Sequence, residues 1–143
     1  MNPRTATRAL AVWLLIAIAE TVHGTARALW LVPRIGDLAS RQVGVFTGAA
    51  IILVIAVLTR RWIGADRREL WLVGLLWLAL MLAFEVGLGR AFGFSWSRIL
   101  ADYDPRQGGL MPLGLAVLAL APRLAAMRTD PGGSDGRSTT APH

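Results

Sequence analysis

Residues 10–31 form an apolar run long enough to cross a bilayer, yet that run carries Glu20, His23 and Arg27. At about 100° per residue these three share one helical face with Trp13, Ala17 and Gly24. An ionised side chain near the bilayer centre costs roughly 2.5 to 3.5 kcal/mol on insertion scales, so this face does not point at lipid. Such residues pair with each other, face protein, or line a solvated path. The run predicts a membrane helix whose polar stripe turns toward neighbouring helices.

The rest of the chain supplies those neighbours. Further apolar runs cover residues 43–58, 70–88 and 109–124, and 55% of the 143 residues are hydrophobic. The expectation is an all-α integral membrane protein with four transmembrane helices in a single domain over residues 1–128. Residues 129–143 are dominated by Asp, Pro, Gly, Ser and Thr and predict a disordered cytoplasmic tail. The first run lacks a small-x-small cleavage site at its end and contains Glu20, so it reads as a retained helix and not as a signal peptide.

Local signals set the expected boundaries. Pro33 should end a first helix over residues 9–31, and Asp37 is placed to cap the second. Gly44-x-x-x-Gly48 would let another helix approach closely, although glycines are common in membrane helices anyway. Phe92, Phe94 and Trp96 give the long loop over residues 90–107 an interfacial character, and Asp104-Pro105-Arg106-Gln107 has the form of a helix start. Trp30, Trp62, Trp71 and Trp96 lie near helix ends and read as interface anchors.

Charge decides the expected orientation. The net charge of +6 comes from arginine alone, because lysine is absent. Arg4, Arg8, Arg60, Arg61, Arg67, Arg68, Arg123, Arg128 and Arg137 fall on one side; Arg34, Arg41, Arg90, Arg98 and Arg106 fall on the other. Nine against five puts both termini in the cytoplasm of a multi-pass protein of the inner membrane. The arginines read as topology signals and lipid-headgroup contacts, and a nucleic-acid partner is not expected because no soluble basic domain exists to hold one.

A shift of 65 residues aligns the chain with itself at unusual positions. Glu20 meets Glu85, Gly24 meets Gly89, Asp37 meets Asp102, Arg41 meets Arg106, Gln42 meets Gln107 and Gly44 meets Gly109. This predicts two parallel-repeat helical hairpins, over residues 9–58 and 74–123, related by a pseudo-twofold along the membrane normal. On that reading Glu20 and Glu85 lie at equal depth, and Gly24 and Gly89 let their helices come together. His23 and Arg27 fall opposite Leu88 and Phe92, so one hairpin alone carries the extra titratable groups.

Glu20, His23, Arg27 and Glu85 are therefore the candidate site for a proton, cation or small polar ligand. Facing carboxylates resist double ionisation unless a proton or cation is shared. Asp37, Arg41, Gln42, Asp102, Arg106 and Gln107 would form its outer mouth, with Asp37–Arg41 and Asp102–Arg106 as i, i+4 pairs. A purely structural reading stands beside this one, in which Glu20 pairs with Arg27 and Glu85 with Arg90 to fix helix register. Glu20-x-x-His23 also has the spacing of a carboxylate-bridged metal motif, with Glu20, His23 and Glu85 as the ligands if any metal binds. The absence of cysteine removes thiolate sites and nucleophiles, His143 is the only other histidine, and no cofactor is expected.

Three function classes stay open at this stage. The first is a transporter-like protein that binds or conducts a small solute, proton or cation, and it favours a homodimer because four helices are few for alternating access. The second is an accessory or assembly subunit of a larger membrane complex. The third is a membrane enzyme with a carboxylate and histidine metal site. No characterised family is recognisable in these motifs.

Overall fold

The first helix starts where its cap dictates. The Asn2 side chain accepts a hydrogen bond from the Arg4 N–H at 3.0 Å, and Pro3 fills the first position, where its missing N–H costs nothing. The computed structural model describes residues 1–129, and these are helical with short connections. The predicted tail falls almost wholly outside the described residues.

Helix α1 (Pro3–Ile35) runs past the point where Pro33 was expected to stop it. A proline ring clashes with the carbonyl four residues back and lacks an N–H. The chain accommodates this with a π-helical stretch over Arg27–Leu31, in which the Val32 N–H reaches the Arg27 carbonyl five residues back. The helix stops at Gly36, whose φ of 86° suits glycine. Helix α2 (Asp37–Ile63) follows at once, so most of the expected 34–42 loop is helical. Asp37 is not its cap. It is the first helical residue and makes no capping hydrogen bond.

Helix α3 (Arg67–Ala91) opens with a capping box. Asp66 accepts from the Arg68 and Glu69 N–H groups, and Glu69 accepts from the Asp66 N–H. Glu69 also accepts from the Asn2 N–H at 2.9 Å, which ties the starts of α1 and α3 together. The long loop folds into a short helix α4 (Trp96–Ala101) and one 3-10 turn at Pro105–Gln107. Asp104 does cap that turn, but Gly108 takes φ 79° and reverses the chain, so α5 (Met111–Thr129) begins later than the sequence suggested.

α1, α2, α3 and α5 are long and apolar enough to cross a membrane. α1 packs on α2 and α3, and α5 packs on α2 and α3, whereas the pairs α1–α5 and α2–α3 make no comparable contact. Gly74 is pressed against the Ala119 backbone of α5, with no room for a Cβ. Trp77 of α3 is fully buried beside Val12, Ile16, Val73 and Leu118, and its indole N–H donates to the Ala9 carbonyl at 2.9 Å. This apolar core fills the half of the bundle nearer the chain ends. The polar residues are left to the other half, toward the α1–α2 and α3–α5 connections.

Under the 65-residue shift Thr5, Ala9, Val12 and Ile16 of α1 fall on Leu70, Gly74, Trp77 and Met81 of α3, all buried, whereas buried Ala17 falls on exposed Leu82 and buried Val73 on exposed Arg8. The repeat expectations differ from the structure. Gly24 faces open space and Gly89 packs on Ile99 of α4, so the two glycines do not bring helices together. Asp37 begins a long helix while Asp102 ends a short one, because Gly108 interrupts the second copy of the loop motif.

Candidate functional site

The polar stripe of α1 lies against a face of small residues on α2. Gly48 leaves space for the Glu20 carboxylate, to which an added Cβ would come within 2.7 Å, and Gly44 likewise leaves space for the Arg27 side chain. The Gly44-x-x-x-Gly48 pattern thus seats two charged side chains and is not a bare backbone contact. Between them, the Thr47 hydroxyl lies 2.7 Å from Nε2 of His23, and Nδ1 of His23 lies 3.5 Å from the nearer Glu20 oxygen.

The Thr47 hydroxyl lies 2.7 Å from Nε2 of His23 and 3.1 Å from the Val43 carbonyl, and its one proton can go to either. Nδ1 faces Glu20, so a charged imidazole, a neutral Nδ1–H tautomer or a protonated Glu20 would each place a proton on the line between the two groups. The second Glu20 oxygen, Oε1, is buried with no hydrogen-bond partner.

Arg27 does not pair with Glu20. Its guanidinium donates to the hydroxyl of fully buried Ser40 at 3.2 Å, near the start of α2. Glu85 does not pair with Arg90 either. It accepts from the Tyr103 hydroxyl at 3.2 Å, while Arg90 lies over the Trp96 ring and donates to the Phe94 carbonyl. Burial, and after it the neighbouring Glu85 carboxylate, raise the Tyr103 phenol above its ordinary range, so it remains a donor.

Above this cluster four charges close a ring. Arg41 Nε lies 3.0 Å from Asp37 and Nη1 meets Asp102; Arg98 lies 3.0 Å from Asp102 and 3.4 Å from Asp37. The expected Asp102–Arg106 pair is not formed. Asp102 closes α4 and Arg106 lies in the 3-10 turn beyond it, so no helical register joins them, and Arg98 takes the place one turn earlier on α4. Gln42 reaches across to the Gly108 carbonyl and Gln107 bonds Asp104. The ring and Gln42 fasten α2 to the α3–α5 connection.

No group of three His, Asp or Glu residues among the described residues converges to hold a metal ion, so Glu20, His23 and Glu85 do not form a ligand set. Residues that the sequence reading missed are Ser40, Thr47, Arg98 and Tyr103. Thr47 was detectable one turn after Gly44 and next to Gly48, on the face that receives the charges of α1. Tyr103 and Arg98 carried no local signal, because their partners are set by the loop fold. No known family matches this chain, and no curated protein or solved structure matches it.

Proposed function

We propose that this chain is an integral membrane protein that binds and passes a proton through the Glu20–His23 pair, with Glu85 as the second carboxylate. The observation that carries this reading is the Thr47–His23–Glu20 geometry, in which Nδ1 of His23 faces a carboxylate whose other oxygen is buried and unpartnered. Glu85 and Tyr103 extend the line of exchangeable groups toward the charged ring. A proton suits this arrangement better than a larger solute, because fully buried Trp77 with Val12 and Leu118 fills the other half of the bundle. Completion of a path across the membrane would then fall to a homodimer or a larger complex.

The setting proposed is the inner membrane with both termini cytoplasmic, on the nine-to-five arginine asymmetry. The four shared buried positions of α1 and α3 support a duplicated origin for the two hairpins. One observation favours the accessory-subunit reading: the His23–Thr47 contact and the four-charge ring both lock helices in register.

Proton flux into liposomes separates the two. Glu20→Gln and His23→Gln should each abolish flux and leave the fold intact. Wild-type flux in both variants, or none in the wild-type chain, would leave the accessory subunit as the reading.

A further inference from the structure

A groove of about 270 Å³ opens between the second half of α1 and the start of α2. Its lining includes His23, Arg27, Trp30, Arg34, Val43 and Thr47. The π-helical stretch contributes Arg27 and Trp30, and Trp30 is 63% exposed. The groove therefore combines an apolar wall with two guanidinium groups at one end.

Among the described residues both guanidiniums hydrogen-bond neutral oxygens only. Arg27 donates to the Ser40 hydroxyl, and Arg34 donates to the Trp30 carbonyl at 2.6 Å. The nearby carboxylates are engaged elsewhere, Asp37 and Asp102 in the charged ring and Glu20 with His23. Arg34 stands seven residues beyond Arg27, near the end of α1. The Arg27 guanidinium reaches up to Ser40 in the first turn of α2, so both charges lie toward the helix ends, at the level of a lipid headgroup.

We infer that this groove binds one anionic phospholipid, its phosphate between Arg27 and Arg34 and an acyl chain along Trp30 and Val43. A second copy of the chain fits less well. A twofold contact through the same groove would set Arg27 and Arg34 against their own equivalents, and like charges would face each other. The inference rests on the membrane-embedded reading above but not on proton passage.

The test is native mass spectrometry of the full chain in detergent, titrated with phosphatidylglycerol, with phosphatidylcholine of the same acyl chains, and with inorganic phosphate. One tight phosphatidylglycerol should be retained, and phosphatidylcholine and phosphate should not be. Arg27→Gln and Arg34→Gln should each weaken retention roughly fivefold, and exposed Arg106→Gln should not. Arg34 is exposed, so its variant keeps the test valid where Arg27→Gln disturbs the Ser40 contact. Equal retention of both lipids, retention of phosphate alone, or an equal loss in Arg106→Gln would overturn the site. So would a dimer that Trp30→Arg splits. Proton flux plays no part in this readout, so a chain that selects phosphatidylglycerol but carries no proton would refute the proposed function alone.

Discussion

The seat of Glu20 on Gly48 can be tested with a single methyl group. In Gly48→Ala the new Cβ would lie 2.7 Å from one Glu20 oxygen, whereas ordinary contact begins at 3.4 Å, so the carboxylate must retreat by about 0.7 Å. The obstructing atoms are the end of a flexible side chain, so the cost is at the low end of overpacking, about 1 kcal/mol. Alanine recovers up to about 1 kcal/mol over glycine inside a helix, so the net loss should be about 0 to 1 kcal/mol. Gly24→Ala is the matched control on α1, where the Cβ meets nothing within 4 Å, and it should be neutral or stabilising. The decisive variant is Gly48→Ala in a Glu20→Ala background. Without the carboxylate the conflict is gone, and the cycle should show a coupling of about 1 kcal/mol. Unfolding in mixed micelles, followed by far-UV ellipticity, measures all four corners. An equal penalty for Gly48→Ala with and without Glu20 would mean that Gly48 serves backbone approach, and the seating argument would be wrong.

Three other outcomes follow from the same geometry. Tyr103 is the only tyrosine, and lysine and cysteine are absent, so it is the one side chain that titrates between about pH 9 and 12. Its phenol is raised from 10.0, so the folded chain holds that proton longer than the unfolded chain; its contribution to stability should be level below about pH 10 and be lost above it. Tyr103→Phe should flatten that alkaline limb in pH-dependent melts, and an unchanged limb would contradict the burial of the phenol. Gly74→Ala should destabilise by about 3 kcal/mol because the Cβ meets the Ala119 backbone, whereas Gly87→Ala meets nothing within 4 Å and should be tolerated. Cysteines placed at Ser97 and Ser134 should react with an impermeant reagent from the outer and the cytoplasmic side respectively, and labelling with the two sides exchanged would refute the proposed orientation.

Hydropathy and helical periodicity alone determine the four helices of this protein and the inward-facing stripe of Glu20, His23 and Arg27. Both depend on burial and spacing within a single segment, which the order of residues carries directly. Capping chemistry is equally local, and Asp104 and Pro105 did start a helical turn. Its length was not legible, because Gly108 ends it through a backbone angle that the flanking residues permit but do not require. Pro33 misled for a related reason, since a π turn absorbs the clash that an α-helix could not. The pairing of charges belongs to the tertiary structure. Glu20, Arg27, Glu85 and Asp102 each had a plausible partner a few residues along the chain, yet Arg27 meets Ser40, Glu85 meets Tyr103 and Asp102 meets Arg41 and Arg98. A long side chain reaches whatever polar group its neighbouring element brings to the same depth, and the packing of α1 on α2 and the fold of the α3–α5 connection decide which group that is.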